Sequence, residues 1–327
     1  MKCSIIILNW NGAQMLRQYL PSVVNSQKSK VERQEIDIIV ADNGSTDNSL
    51  EVLAKEFPSV KTIVLDKNYG FAEGYNRAIE QVDSDYVVLL NSDVEVTENW
   101  LAPLLDYLDA NADVAAVQPK IRSWRKREYF EHAGAAGGYV NALGYPYCRG
   151  RVLFHVEKDH GQYDTIKDVH WTTGACMCVR TRVYKELGGL DAAFFAHMEE
   201  IDLCWRMRNN GWRLTCVPQS TVYHLGGGSL AYDNPRKTYL NFRNNLLMIY
   251  KNHSCRWLVL TLRFFLDYIA ALMFLIIGRH GSAKAICTAR RDYRQMKKKY
   301  INYYFSRCLS IYWRIVSIFA PPVVVIK

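Results

Sequence analysis

Two acidic clusters, well separated along the chain, carry the residue types of a group-transfer reaction. The first is Asn91-Ser92-Asp93, directly after the apolar run 86–90; the second is Glu199-Glu200-Ile201-Asp202, with His224 further on. A carboxylate such as Asp93 at the end of a buried strand can hold Mg2+ or Mn2+, hard cations that favour carboxylate and phosphate oxygens. Crowding of Glu199, Glu200 and Asp202 would raise at least one pKa toward the range of a general base. A reaction that expels a diphosphate while activating a hydroxyl needs both kinds of group.

Each of these residues also has a plainer use. Asp93 could cap a helix beginning near Thr97, and acidic residues at a helix start are favoured by its dipole, although three are more than capping needs. His224, in Val222-Tyr223-His224-Leu225-Gly226-Gly227-Gly228-Ser229, follows the strand-like stretches 214–217 and 221–223 and becomes a candidate further ligand. The glycines beside it are not a P-loop, because no Gly-Lys-Ser/Thr follows. Asp42-Asn43-Gly44-Ser45-Thr46-Asp47 has ordinary turn chemistry, yet Asp42 could accept from a base N–H or a ribose hydroxyl. Asn68-Tyr69-Gly70-Phe71-Ala72-Glu73-Gly74-Tyr75-Asn76 reads as a helix start, where small residues allow close approach and phosphate is welcome.

The elements that must position these groups alternate. Apolar strands are expected at 2–9, 36–41, 60–65, 86–90 and 114–120. Helical spacing falls at 15–20, 48–57, 71–82 and 101–110, with further helices at 181–188 and 201–209. Near-continuous apolar strands separated by helices imply a mostly parallel, Rossmann-like α/β sheet covered on both faces. In such sheets ligands gather at the carboxyl ends of the strands, where Asn9 to Asn11, Asp42 to Asp47 and Asn91 to Asp93 all sit. Between 123 and 170 the pattern loosens into a loop rich in glycine and tyrosine. Its stretch 131–151, with His132, Tyr145 and Arg149, is expected to shape the choice of substrate.

The 327 residues are 49% hydrophobic and 22% charged, which argues against extensive disorder. The net charge of +9 conceals a division: residues 1–250 hold 27 Lys/Arg against 30 Asp/Glu (−3), and residues 251–327 hold 14 against 2 (+12). A basic end rich in aromatic and aliphatic residues suits an anionic membrane surface, and no nucleic-acid module accompanies it. Nine cysteines without a CxxC pair read as reduced thiols, and the N-terminal apolar stretch is too short for a signal peptide. The chain is therefore expected not to be exported. The segment 257–278 is apolar except for Arg263 and Asp267, spaced i,i+4 so that they can pair. Charged residues at bilayer depth cost ~2.5–3.5 kcal/mol each, so an interfacial or re-entrant helix is expected rather than a span. The other reading is a helical hairpin packed on the domain. A basic cluster at Arg290, Arg291, Arg294 and Lys297 to Lys299 follows, then Tyr300, Tyr303, Tyr304, Phe305 and Trp313.

Taken in order, these motifs resemble the inverting family 2 glycosyltransferases of GT-A fold, in particular the rhamnosyltransferase-like branch. The resemblance runs from Ser4 to about Asn252 and adds Thr173-Gly174-Ala175, Gly188-Gly189-Leu190-Asp191 with Phe194-Phe195, and Leu203-Cys204-Trp205-Arg206. It implies a GT-A domain over 1–250, with a nucleotide-sugar half (1–120) and an acceptor and catalytic half (121–250), followed by a membrane-associated helical tail over 251–327. By the same resemblance Asp42 contacts the base, and Asn9, Asn11, Asn68, Gly70, Asn76 and Asn91 help to hold the donor. Asn91-Ser92-Asp93 stands in for the DxD metal motif, with Asp93 and His224 toward Mg2+ or Mn2+. Glu200 takes the place of the Asp in the Glu-Asp base motif, with Glu199 and Asp202 as the other candidates. Two departures stand out: Asn91 replaces the first Asp of DxD, and Glu200 adds one methylene of reach. The implied reaction moves a sugar from dTDP-rhamnose or a UDP-hexose to a lipid-linked or polysaccharide hydroxyl. It would take place at the cytoplasmic face of the inner (plasma) membrane, with residues 257–327 on its surface. A non-catalytic sugar-nucleotide-binding scaffold is the alternative. A nucleotidyltransferase would need a Gly-rich basic loop after the first strand, and a dinucleotide oxidoreductase GxGxxG; Asn9 to Ala13 supplies neither.

Overall fold

The β-branched run that opens the chain becomes the central strand of a sheet. In the computed structural model, which describes residues 1–26, 35–132, 134–152, 155–226 and 234–300, β1 (Lys2–Asn9) is buried along almost its whole length. It pairs in parallel with β2 (Glu35–Asp42) on one side and with β4 (Tyr86–Asn91) on the other, and β2 pairs in parallel with β3 (Lys61–Val64). The helices α1 (Ala13–Ser26), α2 (Ser49–Glu56) and α3 (Gly70–Glu80) make the crossovers. This half is the parallel α/β unit that the hydrophobic runs require.

Beyond β4 the pattern changes. No helix begins at Thr97; a short β5 (Val94–Val96) comes first, and α4 (Ala102–Ala110) starts later with Pro103 in its first turn, where a missing N–H costs nothing. Strand β6 (Val114–Ser123) leads to two small ribbons, β7 (Gly138–Val140) with β8 (Pro146–Cys148) and β9 (Arg151–Val152) with β10 (His155–Val156). After β11 (Lys167–Asp168) comes β12 (Cys176–Arg180), then α5 (Thr181–Glu186), α6 (Glu199–Asn209) and β13 (Arg213–His224). The main sheet runs β11-β13-β6-β12-β4-β1-β2-β3, with β5 on β13.

Strand β12 has no counterpart in the sequence reading. It lies antiparallel between β4 and β6, Cys176 opposite Leu90 and Cys178 opposite Val117, and it is fully enclosed. Cys-Met-Cys-Val is apolar but has a single β-branched residue, so β propensity marks it poorly. Its place decides the site, because the Asn91 amide donates to the Ala175 carbonyl at 3.0 Å.

Among the described residues, 1–139 with 147–226 form one compact unit and 140–146 with 234–300 a second. The second is built on α7 (Pro235–Asn252), α8 (Arg256–Ile276) and α9 (His280–Met296). The Asn234 side chain caps α7 by accepting from the Arg236 amide at 2.8 Å. The i,i+4 pairing expected in the tail is present: Arg263 Nε lies 3.2 Å from Asp267 Oδ1, with both side chains buried. Gly227, Gly228 and Ser229, and the aromatic residues Tyr303, Tyr304, Phe305 and Trp313, lie outside the described residues. The eight described cysteines are free thiols.

Candidate active site

The register places the strand tips abreast, Asn9 opposite Asp42 and Leu8 opposite Asn91. The loops that follow are laced together. Asn9 donates to Asp42 at 3.1 Å, and the Ser45 amide donates to the other Asp42 oxygen at 2.9 Å, so this buried carboxylate is engaged from both sides. Asn11, at φ 50°, accepts from the Thr46 amide at 2.7 Å and donates its own amide to the Ser45 hydroxyl at 2.9 Å. Burial works against the Asp47 carboxylate, but bonds from the Ser49 hydroxyl and the Ala13 and Ser49 amides hold its pKa below the usual value.

A second set of asparagines fixes the start of α3. Asn43 donates to the Gly70 carbonyl (3.0 Å) and accepts from the Tyr69 amide (3.0 Å), while Asn68 accepts from the Gly70 amide (2.8 Å). The next two amides, of Phe71 and Ala72, donate to the Phe195 carbonyl. The helix start expected to welcome phosphate is thus closed by the polypeptide, a correction to the sequence reading. Gly70 has φ +77°, and a Cβ there would lie 2.6 Å from the Phe195 ring. Asn76 accepts from the Tyr184 hydroxyl (2.7 Å) and the Leu190 amide (3.0 Å) and donates to the Leu190 carbonyl (2.7 Å). Asn9, Asp42, Asn68, Gly70 and Asn76 therefore all bond to, or pack against, the chain itself.

On the acidic turn after β4, pairing of β5 with β13 sets His224 opposite Val94. The His224 Nε2 lies 3.1 Å from Asp93 Oδ1 and 3.4 Å from Asn91 Nδ2, and Glu131 Oε2 stands 3.6 Å behind its Nδ1. Burial alone would depress this imidazole; bonds to Asp93 and Glu131, with their charges, outweigh it and hold the pKa up to about 10. Burial likewise opposes ionisation of Asp93, and His224 reverses the balance, leaving its pKa below the ordinary value. A divalent cation would have to displace the proton that Asp93 and Glu131 hold on this imidazole; once it is displaced, an imidazole with a carboxylate behind it and a second carboxylate beside it is a common metal-ligand arrangement. Among the described residues no three His, Cys, Asp or Glu side chains converge as a ready cage. Glu131 escaped the sequence reading, where it only opens the Gly/Tyr loop. In that loop Arg149 donates to the Ala136 carbonyl at 2.8 Å, and Tyr145, in the second unit, lies under Arg263 at 3.9 Å.

The other carboxylates begin α6. The residues before it are strained: Phe195, His197 and Met198 have φ of 64°, 71° and 73°. Such conformations collect where function over-determines the backbone. Glu199 is buried and Glu200 half-buried, and each has a side-chain oxygen sealed from solvent without a hydrogen-bond partner. Burial pushes both pKa values up, and for Glu199 the charges of Glu200 and Asp202 push further. Asp202 differs. It is fully buried and paired with Arg206 at 2.9 Å, and that guanidinium also donates to the Leu187 and Gly189 carbonyls. A Cβ built on Gly174 would touch Phe71 on one side and Glu200 on the other, so Thr173-Gly174-Ala175 links the start of α6 to Asn91.

Solved structures share this architecture. The Staphylococcus aureus TarS 1–349 complex with UDP-GlcNAc matches 86% of this chain and 73% of its own at a TM-score of 0.53 and 18% identity. The mannosyltransferase PcManGT from Pyrobaculum calidifontis, in complex with GDP-Man and Mn2+, matches 95% of this chain and 87% of its own at 0.53 and 13% identity. The fold is therefore the GT-A fold of sugar transferases. A family model, Glycosyl transferase family 2, matches residues 4–188, and the chain belongs to that family. The N-acetylglucosaminyl-diphospho-decaprenol L-rhamnosyltransferase of Mycobacterium tuberculosis is 23% identical over 267 residues, which is 77% of this chain and 85% of that protein.

Proposed function

We propose that this glycosyltransferase is a metal-dependent, inverting hexosyltransferase that uses a nucleoside-diphospho-sugar such as dTDP-rhamnose or a UDP-hexose. Its acceptor would be a hydroxyl of a lipid-linked glycan on the cytoplasmic face of the inner (plasma) membrane. The observation that carries this is the division of carboxylates. Asp93 is held ionised beside His224, whereas Glu199 and Glu200 are held toward neutrality with unbonded oxygens. Environments that push carboxyl pKa values apart separate a charge-holding role from a proton-moving one.

Asp93 and His224 would hold Mg2+ or Mn2+, which when bound neutralises charge growing on the departing diphosphate. Glu131 would orient His224 from behind. Glu200 would take the proton of the acceptor hydroxyl as it attacks the anomeric carbon from the face opposite the leaving group, a single displacement that inverts the centre. Burial would keep the Glu200 pKa high, and Asp202 would fix the helix through Arg206. Asn9, Asn11, Asp42, Asn43, Asn68, Gly70 and Asn76 would act by setting the loops around the donor. The tuberculosis relative, named for a diphospho-decaprenol acceptor, supports the lipid-linked assignment.

Nucleoside diphosphate release from UDP-, dTDP- and GDP-sugars tests the reading, run with and without Mn2+ or Mg2+ and with detergent-solubilised lipid-linked glycans. Metal-dependent release from one donor is expected. Sugar-nucleotide binding without release across the whole panel would favour the non-catalytic scaffold.

A further inference from the structure

Helix α8 is amphipathic the wrong way round for water. Its buried stripe, Val259, Arg263, Asp267 and Ala271, holds both of the charged residues in the helix interior. Its exposed stripe, Leu258, Leu262, Phe265, Ile269, Leu272 and Ile276, is wholly apolar, with exposures from 44% to 69%. A contiguous apolar face of this length marks an interaction surface.

The inner charges are paired with one another. Arg263 pairs with Asp267 and bonds to Asn245, and Arg290 of α9 bonds to Asp267 and donates to the Arg263 carbonyl. This clasp locks α8 to α9, whose own outward residues include Lys284, Arg291 and Arg294. If α8 crossed a bilayer, α9 would be drawn into hydrocarbon with those cations, or the clasp would have to break. Both are costly in a medium that cannot solvate charge. The helix meets the length and hydropathy needed to cross, so the clasp, not composition, decides between the two geometries.

We infer that α8 is an in-plane anchor: its outer face lies along the surface of an anionic bilayer at uniform shallow depth, with the Arg263–Asp267–Arg290 clasp turned away from the lipid. This rests on, and deepens, the proposal of a lipid-linked acceptor. Charge selects the occupant. Arg256 and Arg279 stand at the two ends of the helix, and Lys284, Arg291, Arg294, Lys298 and Lys299 are exposed in and just after α9. Such a surface repels a second copy of itself and is drawn to anionic headgroups. The only hydroxyls on this face are Thr261, which donates to the Trp257 carbonyl of its own helix at 2.8 Å, and Tyr268, a residue type suited to the headgroup level.

The test uses the full chain with Cys255, Cys287 and Cys308 replaced by serine. Single cysteines at Leu262, Ile269 and Ile276 carry a fluorophore read by depth-dependent quenchers in vesicles of phosphatidylcholine with or without phosphatidylglycerol. We expect co-flotation with anionic vesicles and equal shallow depth at all three positions. Phe265→Glu with Ile269→Glu should lower the partition coefficient at least about tenfold, while donor turnover with a water-soluble acceptor stays unchanged. A deep Ile269 between shallower ends would show a span and overturn the in-plane placement. Absence of vesicle binding, or a concentration-dependent dimer abolished by the two glutamates, would overturn the lipid surface itself. Vesicle binding without any sugar transfer would sink the catalytic reading and leave the anchor standing.

Discussion

The behaviour of single side chains here follows from which charges the protein isolates. Glu199 and Glu200 have folded-state pKa values raised first by burial, so the folded chain keeps protons that the unfolded chain has released. Their stabilising contribution is complete below the unfolded carboxylate pKa and is lost as pH rises through the raised folded values. Glu199→Gln removes that loss, so its melting temperature should gain more near pH 8 than near pH 5. Equal gains at the two pH values would mean Glu199 is already ionised in the folded state. Glu200→Gln should lower kcat by about 10²–10⁴-fold with donor affinity retained, and the acidic limb of the wild-type pH profile should lie above the ordinary carboxylate range. Behind the imidazole, Glu131→Gln should weaken Mn2+ binding by about 10–100-fold, with kcat recovered at saturating metal. Titration calorimetry with Mn2+ reads this directly. Asp93, His224 and Glu200 could be singled out in the sequence as candidates because each sits in a short motif, Asp93 at the end of a buried strand, Glu200 at an acidic helix start and His224 before a glycine run. Glu131 was not, since a lone glutamate before a glycine-rich loop carries no pattern until β13 brings His224 to it.

Among the elements, legibility depended on whether a local period existed. The parallel half was readable because each strand is a continuous β-branched run and each helix an amphipathic repeat. Strand β12 was not, because its placement between β4 and β6 is a tertiary choice. The stretch 187–198 was equally opaque: Gly188, Gly189, Phe195, His197 and Met198 all take positive φ, which only the folded context dictates. The Asp202–Arg206 pair holds this stretch to α6. Asp202 has no exposed surface, and Arg206 serves two carbonyls besides the carboxylate. Removing one partner strands a buried charge. Arg206→Ala should therefore destabilise the protein by ~3–5 kcal/mol in urea denaturation. A loss below about 1 kcal/mol would mean the pair is solvated as surface pairs are.

For the whole molecule, the division of charge along the chain becomes a division of solvent. The first unit buries its apolar strands and shows polar loops, whereas the helix α8 of the second shows its apolar face and buries its charges. The i,i+4 spacing of Arg263 and Asp267 was legible as a pair, but the third member, Arg290, is 23 residues from Asp267 and no local pattern links them. The clasp gives opposite expectations for partial and complete removal. Asp267→Ala leaves two buried guanidiniums without their carboxylate and should cost ~3–5 kcal/mol. Replacing all three, Arg263→Met with Asp267→Leu and Arg290→Met, removes the charges together and should restore most of that stability. The triple variant also makes α8 an uncharged helix of 21 residues but for Arg256 at its first position. At 1.5 Å per residue it spans ~31 Å, the thickness of a bilayer core. Alkaline carbonate should strip the wild-type chain from membranes and leave a substantial share of the triple variant in the pellet. Equal extraction of the two would show that something other than the clasp keeps α8 from crossing.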